Sequence, residues 1–445
     1  MYNRTTHEGA LAKQLSSEQE LRRSVLSCLL WEDTFYEDGV SIAQRIENLA
    51  KNIDPFVVAN LAIEAREKYH LRSVPLLLAN TITKNGSMYV RKVLSKIIQR
   101  PDEIVKFMSI YWKNGKTPIS KQVKLGISDA FTKFNEYQLA KWDRSKSIRL
   151  RDIMFLTHPK PQNKEMEELW YRFTNNKLTI SDTWEVGLST TKSDVEKKSV
   201  WERLLQSNKL GALALLKNLR NMVQVGVDPS LIEEGFMRMK IENIFPYRFI
   251  TANRYAPGHS DLIEKSMLKC LEGKDKIDGK TILMVDVSGS MNARLDNINR
   301  IDTACGLAIL LKELCEDIDI FTFSDYLMKV DDYHGFKLSE NINNSQEHRC
   351  TYLGKSMFEL FNKIDKFDRL IVITDEQSHD SIPETKLPGY GYIINIASYQ
   401  NGINHDEQWE RIDGFSESVI DWMTFLENEK KNKWFGIPDS LFTIK

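Results

Sequence analysis

Asp286, Ser288 and Ser290 alternate in Asp286-Val287-Ser288-Gly289-Ser290, placing one carboxylate and two hydroxyls two residues apart. Alternate residues of an extended segment point to the same side, so the three oxygens can converge on one point. Gly289 lets the backbone curl between the serines. A few small, hard oxygen donors carrying little negative charge suit Mg²⁺, which keeps some waters of its own. The same run could instead do no more than cap a following helix with its hydroxyls. The elements around it must decide.

Those elements read as an α/β domain over residues 279–445. Apolar runs predict strands over 281–285, 318–323, 370–374 and 392–397, and helical patterns fall over 300–314, 352–364 and 418–427. Alternating strand and helix implies a parallel, doubly wound sheet of Rossmann-like type, covered on both faces. Ligands of such sheets sit at the carboxyl ends of strands, near the point where strand order reverses. Two further oxygens belong at that end. Thr351 opens a helix, and Asp375 closes the strand Ile371-Val372-Ile373-Thr374.

A second constellation lies upstream. Between Lys141 and Lys160 there are six Lys or Arg against two Asp, with Trp142 and His158 interleaved. Cations beside planar rings are what single-stranded RNA needs, charges for its phosphates and flat faces for its unstacked bases. A solvated helix face with a capping histidine would have the same composition.

The region carrying that constellation, 18–270, is a succession of short amphipathic helices. Leu21, Val25, Cys28 and Leu29 share one face, and Val57, Leu61, Ala62 and Ala65 share another. Asp54-Pro55 marks a helix start, and the nearly all-apolar stretch 71–79 must be buried between neighbours. Further helices are predicted over 101–112, 127–140, 150–156, 165–173, 195–206 and 210–222. Helices in series without strands predict an α-solenoid of HEAT type. Residues 1–17 form a polar leading segment.

Whole-chain properties set bounds. A chain of 445 residues holds two or three domains, and its 42% hydrophobic content with 28% charged residues is ordinary for a globular protein. With a net charge of −1, any basic surface must be local and offset elsewhere. Five scattered cysteines without a C-x-x-C pair predict reduced thiols in a cytoplasmic protein. The opening stretch lacks the apolar core of a signal peptide, and no apolar run reaches bilayer length, so no membrane role is expected.

The three oxygen-bearing loops, Asp286-Val287-Ser288-Gly289-Ser290, Cys350-Thr351-Tyr352-Leu353-Gly354-Lys355-Ser356 and Ile371-Val372-Ile373-Thr374-Asp375-Glu376, resemble the metal-ion-dependent adhesion site of von Willebrand factor A domains. That resemblance implies a divalent cation, Mg²⁺ above all, at Asp286, Ser288, Ser290, Thr351 and Asp375. The hydroxyls would bind it directly or through water and the aspartates mainly through water, leaving the ion able to take a partner's carboxylate or phosphate. Thr351 follows Cys350, where many A domains have glycine.

Asn135-Glu136-Tyr137-Gln138-Leu139-Ala140-Lys141-Trp142-Asp143-Arg144, continuing to Pro161, resembles the TROVE module of the Ro autoantigen family, in its bacterial and phage form. So do Thr183-Trp184-Glu185-Val186, Lys209-Leu210-Gly211-Ala212-Leu213-Ala214 and Phe245-Pro246-Tyr247-Arg248-Phe249, in the same order. The resemblance implies helices closed into a ring whose basic hole admits single-stranded 3′ ends of misfolded non-coding RNAs. It also implies small Y-like RNAs on the outer surface. Lys141, Arg144 and His158 fall on family positions that contact RNA. Lys217 and Arg220, three apart on one helix, could face the same hole or simply carry surface charge. An A domain occupies the same C-terminal place in that family.

Enzyme readings fare poorly. A phosphatase of the haloacid-dehalogenase type needs a general acid two residues after its aspartate, and Ser288 stands there. No G-x-x-x-x-G-K-[ST] or H-E-x-x-H motif occurs. The expectation is a non-catalytic, monomeric RNA-binding protein for RNA stability or quality control, with an exoribonuclease or another protein docking at the ion. The competing expectation is a metal-dependent protein-binding scaffold in which the helical ring is structural.

Overall fold

The computed structural model describes residues 4–28, 37–143, 148–179, 183–189, 191–241, 244–292, 294–295 and 298–434. The chain divides into two compact units. One comprises Leu15–Ile244 and Ala252–Ser266; the other comprises Met1–Gln14, Phe245–Thr251 and Met267–Lys445.

The first unit is helical throughout its regular structure. Its helix starts follow local chemistry. Ser16 and Gln19 form a capping box ahead of Ser17–Leu26, and Asp54 caps Pro55–Glu67 with proline in the first turn. Val74–Lys84 buries every residue from Val74 to Ile82. Each fully buried Leu there stabilises the unit by about 1.5–3 kcal/mol. Neighbouring helices pack closely where side chains are small: a Cβ at Gly126, in Lys121–Phe131, would stand 2.8 Å from Leu94 Cβ in Val90–Ile97. The single helix expected over 127–140 is two helices, Lys121–Phe131 and Glu136–Trp142. Asn135 starts the second with a capping box to Gln138, and that local bond competes successfully with helix continuation.

The second unit is built on a mixed sheet. Its strands are β1 (Ile277–Asp286), β4 (Cys315–Phe323), β5 (Leu327–Lys329), β6 (Arg369–Thr374), β7 (Tyr390–Asn395) and β8 (Trp409–Asp413), in the order β5-β4-β1-β6-β7-β8. A separate two-residue hairpin pairs β2 (Arg294–Leu295) with β3 (Ile298–Asn299). All main-sheet pairings are parallel except β4 with β5, which is antiparallel. Four strands were expected; β5 and β8 extend the sheet at its two edges. Helix Arg300–Leu314 is buried over almost its whole length, so the sheet is covered as a parallel sheet must be. Leu353, Met357 and Leu360 of helix Leu353–Phe361 pack in one core with Ile282, Met284, Val372 and Ile393.

Two distant pieces of chain complete this unit. Phe245 and Tyr247 stack with ring centroids 5.3 Å apart, and Phe415 meets Phe245 edge-on at 5.1 Å. The segment around Thr6 lies against the loops that follow β6 and β7, with isolated bridges joining Thr5 to Leu11 and Ala12 to Ile403. Among the described residues no helix is long and apolar enough to cross a membrane.

Candidate functional site

From β1 the chain first builds outward through β4 and β5, then returns to β1's other side to lay down β6, β7 and β8. The crevice between the carboxyl ends of β1 and β6 is therefore the reversal point where open α/β sheets bind ligands. Asp286 ends β1 and Asp375 follows the last residue of β6, and both are wholly buried.

Asp286 Oδ1 accepts the Ser288 N–H at 2.9 Å, and its Oδ2 accepts the Thr374 hydroxyl at 2.6 Å. The Ser288 and Ser290 hydroxyl oxygens lie 3.2 Å apart. The loop bearing Thr351 is stitched to this run from one side, where the Gly289 N–H donates to the Arg349 carbonyl at 2.8 Å. His348 Nδ1 also stands 2.6 Å from the Val287 carbonyl. From the other side, the His379 N–H and the Ser378 hydroxyl both donate to the Thr351 carbonyl, at 2.9 and 3.1 Å. Asp375 Oδ1 accepts the Gln377 N–H at 3.1 Å. All five predicted oxygen-bearing residues are thus buried on three mutually bonded loops at one end of the sheet.

The serines border and enter a short 3-10 turn, Gly289–Asn292, and do not cap the α-helix that follows. Arg300–Leu314 begins after Asn299, whose N–H donates to Asp302 Oδ2 at 3.3 Å. The two buried acids also act on each other. Burial pushes the Asp286 carboxyl up to about 7, and the neighbouring Asp375 adds to the push, against hydrogen bonds from Ser288 and Thr374. Two acids crowded in a buried crevice are relieved by a positive charge. Among the described residues, no three His, Cys, Asp or Glu side chains gather as a metal-binding group. The donor set is two carboxylates with three hydroxyls, which fits a hard divalent cation and not a thiophilic one.

The helical unit places its candidates on separate segments. Lys141 lies in Glu136–Trp142, with Nζ 5.7 Å from the Trp142 ring centroid, and lines a cavity of about 310 Å³ together with Arg151, Phe173 and Asn176. His158 is exposed and left-handed, φ +49°, closing Leu150–Thr157 as its C-cap. Lys217 and Arg220 share the exposed face of Ala212–Gln224, opposite buried Leu215, Leu216 and Leu219. Arg144 lies outside the described residues.

Residues not foreseen also shape this area. The Arg100 guanidinium sits 4.7 Å from the Trp142 ring centroid. Arg100 also bonds Asp102, while Arg72 bridges Asp102 and Glu103, and buried Arg66 joins Glu103 at 3.1 Å. Burial draws the Lys106 ammonium below its usual range, and Arg72 beside it adds to the effect. The only signal in the sequence was the start motif Arg100-Pro101-Asp102-Glu103, which reads as an ordinary helix beginning.

A family model described as the TROVE domain matches residues 4–176 and 174–256. Telomerase protein component 1 of Mus musculus is 22% identical over 300 residues, covering 45% of this chain and 11% of that protein. Its counterpart in Rattus norvegicus is 20% identical over 293 residues, with the same shares. The chain thus spans only 11% of the length of these curated relatives. The crystal structure of the Deinococcus radiodurans RO (RSR) protein superposes with a TM-score of 0.57 at 14% identity, over 92% of this chain and 99% of that one. The likeness is one of fold.

Proposed function

Because the chain belongs to the TROVE domain family, we propose that it is a non-catalytic, Ro-like RNA-binding protein acting in RNA stability or quality control. Its helical unit closes into a ring whose basic hole takes single-stranded 3′ ends of misfolded or non-coding RNAs, and Y-like RNAs lie on the outer surface. The family match across residues 4–256 carries this proposal. Lys141, Arg144, His158, Lys217 and Arg220 supply charge and a ring to the RNA, and Trp142 adds a second planar face. The protein works as a cytoplasmic monomer with reduced thiols, in keeping with five free cysteines.

At the other unit, a von Willebrand factor A-type site holds Mg²⁺ through Asp286, Ser288, Ser290, Thr351 and Asp375. The ion would offer an electrophilic position to a carboxylate or phosphate, and an exoribonuclease or another protein is the partner it suits. The buried acids and hydroxyls at the strand-order reversal support that assignment. They also support the second reading, a scaffold that binds protein through the metal while the helices merely frame it.

Affinity for a single-stranded RNA, measured against salt concentration, separates the two. The RNA reading requires binding that weakens steeply with salt and that falls on replacing Lys141 and His158 together by Ala. Absence of RNA binding by the unmodified protein at near-physiological salt would leave the scaffold reading standing.

A further inference from the structure

Resting on the metal-site reading above, we propose that the segment around Thr6 is a latch whose residues position two of the metal-bearing loops. Thr6 is 3% exposed, and its hydroxyl donates to the Ser378 carbonyl at 2.8 Å. The His7 N–H donates to Gln377 Oε1 at 2.8 Å. Glu8 Oε2 meets His379 Nε2 at 3.0 Å. Each of the three gripped residues in turn holds a proposed ligand. Gln377 donates its N–H to the Asp375 carboxylate and its side-chain amide to the Asp375 carbonyl. Ser378 and His379 both bond the Thr351 carbonyl.

The segment is fastened on its far side as well. The Lys13 N–H donates to the Gly402 carbonyl, and the Asn404 N–H to the Leu11 carbonyl, both at 2.9 Å. Asn401 Nδ2 donates to the Thr5 carbonyl at 3.0 Å, while the Asn401 carbonyl accepts from Gln377 Nε2 at 2.7 Å. Besides Asp375, Gln377 is therefore held by two groups that are not proposed ligands, the His7 N–H and the Asn401 carbonyl. An ion that must be met by fixed oxygens binds more tightly when the groups behind those oxygens are immobilised, as outer-shell partners generally do for metal ligands. Thr6 and Glu8 are positioning residues in this scheme, acting through Ser378 and His379.

The test uses the full chain and Mn²⁺ as a spectroscopic stand-in for Mg²⁺, with free Mn²⁺ counted by electron paramagnetic resonance. Thr6→Val and Glu8→Ala each remove a latch bond; Glu8→Gln keeps a hydrogen-bonding group and is the conservative control. The expected result is Mn²⁺ binding weakened about fivefold to tenfold in Thr6→Val and Glu8→Ala, the scale of one lost hydrogen bond. Glu8→Gln should recover most of it. Hydrogen exchange should quicken at the Gln377 and His379 amides in the weakened variants, with or without Mn²⁺. Unmodified protein that binds no Mn²⁺ would sink the metal-site reading, and the latch with it. Normal Mn²⁺ binding in Thr6→Val and Glu8→Ala, with unmodified protein also binding, would overturn the latch alone. If Glu8→Ala does not fold, Thr6→Val, which keeps the side chain's volume, decides.

Discussion

Arg369 and Glu427 form a two-pronged ion pair, with Nε and Nη2 each 2.8–2.9 Å from a carboxylate oxygen, inside the α/β unit. Arg369 begins β6, and Glu427 belongs to the last helix, Ser418–Trp434. Both side chains are nearly inaccessible, at 3% and 6% exposure. Thr281 accepts a third guanidinium bond, and the Tyr392 hydroxyl donates to Glu427 at 3.2 Å. Glu427→Ala should therefore destabilise the protein by about 3–5 kcal/mol, because it strands a buried guanidinium. Chemical denaturation followed by circular dichroism measures this, and a loss below about 1 kcal/mol would show that water reaches the arginine.

RNA affinity should carry the signature of individual phosphate contacts. Each neutralised phosphate of a single strand contributes about 0.7 to the slope of log affinity against log salt. Lys141→Ala should lower that slope by about this amount and weaken binding to unrelated sequences alike. Fluorescence anisotropy with two oligonucleotides of different sequence would reveal it. An unchanged slope would take Lys141 out of the interface.

Metal dependence should be separable from RNA binding. Mg²⁺ should raise the melting temperature of the unmodified protein, and Asp286→Asn should abolish that rise. The same variant should bind single-stranded RNA as before. Differential scanning calorimetry with and without Mg²⁺ is sufficient. A variant that still responds to Mg²⁺ would place the ion elsewhere.

Thiol chemistry offers a fourth check. Cys28, Cys305 and Cys315 are buried and Cys350 is exposed. Cys270 is partly covered, and burial together with Glu417 pushes its thiol up to about 12. Thiolate is the reactive form. An aromatic disulfide reagent at neutral pH should therefore titrate one thiol quickly in the native protein, and Cys350→Ser should remove that phase. Two fast thiols in the unmodified protein would contradict the burial described.

What the sequence disclosed and what it concealed follows from how far each interaction reaches along the chain. β1, β6 and β7 each carry a buried apolar run, 282–285, 370–373 and 392–394, and such runs announce themselves. The Asp286, Ser288 and Ser290 alternation sits on one of them and is visible for the same reason. β5 is three residues long, and β8 reads Trp-Glu-Arg-Ile-Asp with a polar middle, so neither carries a period long enough to detect. The break before Asn135 was signalled by Asn135 and Gln138, but Phe131 and Phe134 continue the apolar pattern across it. The bonds from Thr6 and His7 to Ser378 and Gln377 span more than 360 positions and leave no local trace.

That span has a consequence for biosynthesis. Both pieces of the helical unit, Leu15–Ile244 and Ala252–Ser266, precede β1 in the chain and are made before the sheet. The strand-like segment before them has no seat until Gln377 through Asn404 have left the ribosome. Until then it lacks the carbonyls and amides it bonds, so the loops bearing Thr351 and Asp375 gain this support only late in synthesis.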